Sequence, residues 1–477
     1  LRGTGSLRME KLNVMEDGVL IAPAPYASPA AYYSPTAGRM ESIEVRKGST
    51  QIKHGPFTTG GSLNYISTPI PSSKLNSVSL DIGSFGKTLM QVRSGDVLGN
   101  FAYLIELYSD KTDGFKELDG GGDTGYGKTD FMTKLRYSFS ESHALEFKYS
   151  MTDELSDETY LGLTDADFSE NPLRRYRATA LDEMDADHSQ IMLSYAAKLN
   201  DNMSLAVVGY SNDFARNWYK LNKVNGMSLS SITKPTADGW NEFYLLMNAE
   251  NSADDAYRIK ANNREYYSSG IQAVFNVLAG DHDIQAGLRI HSDEMDRFQW
   301  EDRYGMQSGQ LVMTTQATKG SDSNRIDSAE ATALFVEDRF TTGAMTITAG
   351  ARYEEITVKR DDWGKTDPDR SEIPSKREHT IDVVVPGIGI EYAINESQTV
   401  SVGIHKGFAP PGPGTSGVTD KAVDPETSMN TEIGFKSNKG LNSLEFTLFM
   451  NSYDNLLGAD TAASGGGSDE LFNGGAV

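Results

Sequence analysis

The chain has 477 residues, no cysteine, a formal net charge of −23 and a mean hydropathy of −0.45. The acidic balance argues against nucleic acid as a partner, because phosphate binding needs concentrated positive charge, and without cysteine there are no disulfide staples and no thiolate zinc sites. No uninterrupted apolar run reaches the roughly 18 residues of a membrane-spanning helix. Low bulk hydropathy still permits a membrane crossed by strands, in which only alternate residues face lipid.

From Leu1 to about Pro71 short apolar runs, Leu12 to Met15, Val19 to Ala22 and Ile43 to Val45, are separated by Gly and Pro rather than by hairpin turns. This predicts a small globular unit over residues 1–73, with the change of grammar at Ile70-Pro71-Ser72-Ser73. Gly48, Gly55, Gly60 and Gly61 are its expected positions of close packing or positive backbone angle. The chain opens at Leu1-Arg2-Gly3 without the basic and apolar segments of a signal peptide, and stops abruptly at Gly474-Gly475-Ala476-Val477, so a fragment lacking both termini is expected.

Residues 74–477 follow a different rule. Gly122, Gly127, Lys128 and Thr129 satisfy a phosphate-loop spacing, but that chemistry needs a buried strand before the loop and a helix after it. Here Lys116-Glu117-Leu118-Asp119-Gly120-Gly121 precede, and a strand beginning at Asp130 follows. In that strand Phe131, Thr133, Leu135, Tyr137 and Phe139 form one face, and Met132, Lys134, Arg136 and Ser138 the other. His143, Leu145, Phe147, Tyr149 and Met151 then alternate with Ala144, Glu146, Lys148 and Ser150. A period of two sends successive side chains to opposite sides of a sheet. The same alternation sets Ile284, Ala286, Leu288 and Ile290 against Gln285, Gly287, Arg289 and His291. It sets Ile347, Ala349, Ala351 and Tyr353 against Thr348, Gly350, Arg352 and Glu354.

Seven times, paired strands are joined by a very short polar turn, as at Ser140 to His143, Asn200 to Met203, Gly280 to His282, Thr341 to Ala344, Asn395 to Ser397 and Asn438 to Asn442. The intervening connections are long: Thr152 to Asp187, Ser211 to Arg264, Ser292 to Ser328 and Val358 to Thr380. One trimmed rim and one elaborate rim is the pattern of an outer-membrane barrel, with turns toward the periplasm and long loops, including those carrying Trp218, Trp240, Trp300 and Trp363, toward the outside. An enzyme is not expected. The seven histidines are scattered singly, no Ser-His-acid set stands out, and the carboxylates near Asp293 and Asp361 read as solvated loop charge rather than metal sites.

Met40-Glu41-Ser42-Ile43-Glu44-Val45-Arg46-Lys47-Gly48, then His54-Gly55 and Gly60-Gly61-Ser62-Leu63-Asn64-Tyr65, resembles the plug signature of TonB-dependent outer-membrane receptors. Leu1-Arg2-Gly3 with Met15-Glu16-Asp17-Gly18 is similar to an earlier plug motif. Lys406-Gly407-Phe408-Ala409-Pro410-Pro411 and Pro425-Glu426 with Glu432-Ile433-Gly434-Phe435-Lys436 resemble the barrel motifs. The chain departs from the family pattern at Lys47-Gly48-Ser49 and at His54-Gly55, where Arg-Gly-Pro and Tyr-Gly are frequent. Within the family, Ala24-Pro25-Tyr26, Ser28-Pro29 and Tyr33-Ser34-Pro35 look most like the ferric dicitrate receptor branch, with Ser28 where a glutamine is common.

The resemblance implies an all-β transmembrane antiparallel barrel, multi-pass in the cell outer membrane, closed by an N-terminal α+β plug. It implies import of a ferric chelate, iron-citrate-like or another siderophore, with no covalently bound cofactor. Energy would come from the TonB inner-membrane complex through an N-terminal box expected before Leu1. Haem, cobalamin or a sugar is the alternative cargo, and a passive porin-like barrel the alternative class, which would have no use for a plug. About fifteen strand-like segments stand against about 22 for large transporters, so an open barrel edge is expected. The plug signature falls on Glu44, Arg46, Gly48, Gly55, Gly60, Gly61 and Asn64, and the barrel motif on Gly407, Phe408, Pro410 and Glu432. Candidate ligand contacts are Arg2, Tyr26, Ser28, Tyr32 and Tyr33 in the plug, and Arg174, Arg175 and Arg177 in a long loop, where guanidinium forks suit carboxylates. Pairing of those arginines with Asp182, Glu183 and Asp185 is the structural alternative.

Overall fold

The computed structural model describes residues 11–48, 52–231, 238–413, 424–455, 457–459 and 471–473. The N-terminal unit is built on four strands, β1 (Asn13–Glu16), β2 (Val19–Leu20), β3 (Met40–Arg46) and β4 (Ser62–Ser67), in the order β2-β1-β4-β3. β1 and β2 form a tight hairpin in which Glu16 faces Val19 across Asp17 and Gly18. Both turn residues have positive φ, 49° and 80°, the geometry that Asp-Gly accommodates with least strain. β4 runs parallel to β1 and antiparallel to β3.

The large sheet begins with β5 (Leu75–Ile82), β6 (Thr88–Leu98) and β7 (Phe101–Thr112). It continues through Tyr126–Ser140, His143–Ser156, Glu183–Asn200, Met203–Val224, Tyr257–Ala279, His282–Gln307, Ser323–Thr342, Met345–Asp362, Ser375–Asn395, Gln398–Ala409, Glu426–Lys439 and Asn442–Asp454. Short strands at Met227–Ser228 and Gln310–Thr315 extend the sheet within loops. The paired ladders are antiparallel, and the strand order closes into a barrel with Asn442–Asp454 beside β5. An open edge is therefore not what the sheet adopts: its ends are brought together, and unpaired backbone groups are costly in lipid. Nearly all of β5 and of Asn442–Asp454 is exposed, so this seam lies away from the packed side of the lumen.

The expected faces hold. Leu135, Tyr137, Ile290, Leu334, Val336 and Tyr353 are exposed on the outer wall, whereas Met132, Lys134, Lys148, Arg289, His291, Arg352 and Glu354 are buried inside. A continuous exposed apolar band is too large for a water-facing surface and suits hydrocarbon. Among the described residues no helix is long and apolar enough to cross a membrane. The short turns gather on one rim, where Gly99, Gly280, Gly343 and Gly440 take positive φ.

On the other rim the strands run further than the apolar pattern predicts. Met203–Val224, Tyr257–Ala279 and His282–Gln307 absorb much of what reads as long loop. Hydrophobic alternation ends where the wall leaves the apolar band, but the hydrogen-bonded ladder does not. The outward face of these extensions is instead covered by the loops. Tyr176, Phe243 and Met247 pack on Leu221, Val224, Tyr257, Ile259 and Tyr304, with helices α1 (Asp165–Glu170) and α2 (Trp240–Leu246) in the cover. Asp167 ties it together, accepting from Tyr176, Tyr244 and Thr164.

Asp182 is buried beneath this cover, accepting from the Leu221 amide at 2.6 Å and Thr159 Oγ1 at 2.8 Å, and burial pushes its carboxyl up to about 7. A free carboxyl titrates near 4. The folded cap therefore holds a proton that the unfolded chain has released, so its stability is full below about pH 4 and falls until about pH 7. Proteolysis of the 157–182 loop is expected to quicken from pH 5 to pH 8, and Asp182→Asn to flatten that dependence. An unchanged pH profile in the variant would show that another group is responsible.

Candidate functional site

The plug is seated in the barrel by buried charge. Arg39, fully buried, donates from Nη1 to Glu16 Oε1 at 2.5 Å, from Nε to Asp130 Oδ2 at 2.9 Å and from Nη2 to the Tyr33 hydroxyl at 3.1 Å. Lys148 of the wall reaches Glu16 at 2.5 Å and Asp17 at 2.7 Å, and Thr36 and Thr152 both donate to Asp130. Burial alone would raise the Glu16 carboxyl, yet Arg39 and Lys148 hold it well below the usual carboxylate range.

Above this seat the segment between β2 and β3 rises toward the long-loop rim. The amides of Tyr26 and Ala27 donate to the Asp293 carboxylate at 2.7 and 2.9 Å. The Tyr26 hydroxyl donates to Glu354 at 2.8 Å and accepts from Arg289 at 3.0 Å. Tyr33 stacks on His188 with ring centroids 3.6 Å apart. At the apex Ser28 and Tyr32 remain partly exposed. The Arg216 guanidinium lies 3.7 Å over the Tyr32 ring and that of Arg264 lies 5.6 Å from it. Arg216 is 2% exposed, donates from Nη1 to the Asn262 carbonyl, and its Nε and Nη2 meet no hydrogen-bond acceptor.

These two arginines belong to a larger basic group. Lys260 lies within electrostatic reach of Arg264 and Arg297, and Arg325 within reach of Arg264 and Arg360. Asp327 is held by Arg360 at 2.5 and 3.0 Å and Asp322 by Lys260 at 2.6 Å. The plug apex thus faces a vestibule rich in buried cations within an acidic protein. An anion placed there would replace water on guanidinium donors, an interaction that is strong where water is excluded.

Tyr26, Ser28, Tyr32 and Tyr33 are brought together at the apex, whereas Arg2 lies outside the described residues. Arg174, Arg175 and Arg177 sit in the outer cover. Arg174 pairs with Asp119 at 2.8 Å and Asp167 at 2.5 Å, Arg177 pairs with Glu250 at 2.5 Å, and Arg175 holds the carbonyls of Asp157, Thr179 and Asp182. The acidic partners are Asp119, Asp167 and Glu250 rather than Glu183 and Asp185. Arg216, Arg264 and Arg297 were missed, although parity would have found them: each continues the inward register of its strand.

The signature residues meet across the plug–wall interface. Asn64 accepts from the Gly18 amide at 2.9 Å and donates to Glu44, which lies 3.6 Å from Arg46. Gly48, with φ 79°, lies against Glu432, and the Gly55 carbonyl accepts from Arg289. Gly60 approaches the Lys11 carbonyl too closely for a side chain. Gly61 has φ 125°. Gly407 abuts Thr58, the Phe408 carbonyl accepts from the Thr58 amide while its own amide donates to Thr58 Oγ1, and buried Pro410 follows the end of its strand.

Fold and site together define a plugged transmembrane β-barrel. Residues 110–477 match the family model for the TonB dependent receptor-like β-barrel. The chain belongs to the TonB-dependent receptors, a family of outer-membrane transport proteins and not of enzymes. Among solved structures it is similar to the unliganded ferric citrate transporter FecA, at 18% identity and TM-score 0.73, covering 95% of this chain and 63% of that one. It is similar to the siderophore receptor PiuA from Acinetobacter baumannii, at 14% identity and TM-score 0.73, covering 98% and 68%. It is also similar to the ferric yersiniabactin uptake receptor FyuA from Yersinia pestis, at 14% identity and TM-score 0.72, covering 100% and 67%. At these identities the likeness establishes the fold.

Removing one member of a buried ion pair strands its partner, at about 3–5 kcal/mol. Arg39→Met is therefore expected to loosen the plug, seen as faster protease cleavage within residues 11–67 while the barrel stays resistant. Equal protection in variant and parent would show that the seat does not depend on Arg39.

Proposed function

We propose that the protein is an outer-membrane receptor that imports an anionic ferric chelate of the citrate-like hydroxycarboxylate or related siderophore class. The observation that carries this reading is Arg216 and Arg264 lying over Tyr32 at the plug apex, with Arg216 buried and carrying two guanidinium nitrogens without an acceptor. Carboxylate arms of a chelate match guanidinium forks in geometry and charge, and the Tyr32 ring offers a surface for its apolar edge. The iron enters as part of the cargo. A plug tied to the wall through Glu16, Arg39 and Lys148 supports an energised rather than a passive barrel, because such a closure must be moved by work. That work would come from the TonB complex acting through an N-terminal box.

Binding of a panel of ferric chelates to the purified protein, followed by calorimetry, tests the reading. Arg216→Ala with Arg264→Ala is expected to weaken an anionic chelate by about 100-fold or more, since each lost hydrogen bond to a charged group is worth roughly 1.5–3 kcal/mol and the pair removes at least two. The loss should shrink as salt is raised. Arg174→Ala with Arg175→Ala is the comparison that locates the site: a similar loss would move it to the outer cover. Binding of haem, cobalamin or a sugar without any ferric chelate would overturn the iron reading.

A further inference from the structure

One rung below the arginines that face the plug apex stands Tyr266. In the wall Arg216, Arg264 and Arg297 pair side by side across three strands, and the next inward row beneath them is Phe214, Tyr266 and Met295. The Tyr266 ring is buried in the same core cluster as Tyr26 and Tyr33 and packs on Phe214, with ring centroids 5.6 Å apart. Its hydroxyl meets the row above. It accepts from Arg264 Nη1 at 3.4 Å, and Arg216 lies close enough to act on it as well.

Other buried tyrosines around the apex have their hydroxyls engaged differently. Tyr26 donates to Glu354, Tyr33 accepts from Arg39 in the seat, and Tyr210 bonds to His291. Tyr266 faces two cations instead. Its outward neighbour Glu265 is exposed and pairs with Asp296, which puts this rung above the apolar band. Burial alone would push the Tyr266 hydroxyl up, yet Arg264 and Arg216 bring it below the usual tyrosine value. Tyr219 and Tyr304, which lie against Asp302 in the outer cover, are pushed up by burial. Adjacent cations favour the phenolate over the phenol.

A phenolate is an anionic oxygen donor, the kind that a hard ferric ion prefers. Among the described residues no group of three or more His, Asp or Glu could hold a metal ion, so the chelator has to supply most of the iron's ligands. A single phenolate can fill one position, and a hydroxycarboxylate chelate leaves such a position to water or hydroxide. The phenolate and a carboxylate arm would then be neighbouring oxygens on one ion. A guanidinium fork can donate to both. Arg216, with two nitrogens that meet no acceptor, is placed to do so.

We propose that Tyr266 is a direct ligand to the iron of the cargo, and that the receptor thereby selects ferric chelates with an exchangeable coordination position over those that fill all six. On binding, iron loses a hydroxide, which takes the phenolic proton and leaves as water. The bond from iron to the Tyr266 oxygen forms in its place, and iron stays ferric. This rests on the import reading above and narrows its substrate class.

Ferric citrate and ferric malate are the probes for the purified protein. Binding should bring a visible charge-transfer band at longer wavelength than that of the chelate alone, the signature of iron on a phenolate. Tyr266→Phe keeps the ring and its packing on Phe214. It should abolish the band and weaken both chelates by about tenfold or more, at least the cost of losing an outer partner of a metal ligand. Gallium citrate, with the same metal charge and no such band, should give the ultraviolet difference spectrum of an ionised tyrosine in the parent and not in the variant. A hexadentate ferric hydroxamate should bind more weakly than the open chelates, and equally to parent and variant. Ferric citrate bound without the band, or a band that survives in Tyr266→Phe, overturns the ligation and leaves the import reading standing. Tight hydroxamate binding with neither open chelate bound does the same. If no ferric chelate binds, both readings fall.

Discussion

The arrangement depends on the ion pairing of Arg39 with Glu16 and Asp130 inside the barrel. A sheet with lipid on its outer face turns its polar residues inward, so a domain filling its lumen meets charge rather than an apolar wall. Desolvated charges are tolerated only with partners in good geometry. Arg39, Lys148, Glu16, Asp17 and Asp130 meet that demand in one relative placement of plug and wall. Arg39 also donates to Tyr33, so the seat fixes the base of the apical segment and, one residue away, sets Tyr32 under Arg216.

Net charge conceals the character of the vestibule because a period of two sorts charge by face. In Tyr257–Ala279, Arg264 is buried inside while the adjacent Glu265 is exposed outside. Met203–Val224 turns Arg216 inward and Asp213 outward, and His282–Gln307 does the same with Arg297 and Asp296. An acidic chain can thus line its interior with cations. Low-dielectric walls concentrate the field of such a lining, which raises the local concentration of anions at the plug.

Much of this was legible in the sequence. Alternation located the strands wherever one face was apolar, and the two-residue turns located the trimmed rim. The apical stretch carrying Tyr26, Tyr32 and Tyr33 stood out in the sequence, and of the three Tyr32 alone keeps part of its surface open. Two features escaped for physical reasons. Beyond the apolar band both faces of a strand are polar or covered by loops, so periodicity in hydrophobicity vanishes while the ladder continues, as from Tyr210 and Asn212 to Phe214 and Arg216. Closeness along the chain was also a poor guide to closeness in space. Arg174, Arg175 and Arg177 are consecutive or nearly so, yet besides Asp167 of their own loop it is Asp119 and Glu250 from other loops that converge on them, whereas Arg216, Arg264 and Arg297 sit on successive strands.

The signature residues show what the plug must combine. On the side of Gln398–Ala409 and Glu426–Lys439, contact is made by backbone and close packing, with Thr58 on Gly407 and Phe408 and with Gly48 on Glu432, and by the ion pair of Lys11 with buried Glu426. On the side of Tyr126–Ser140 and His143–Ser156, it is made by the buried ion pairs of Arg39 and Lys148. Residues 52–57 belong to neither set. They lie between the two anchors and are held by Arg289 and Arg352, of which Arg289 also donates to Tyr26. The shared carboxylate of Glu354 couples the hold on the apical segment to the hold on Gly55, independently of the Arg39 seat.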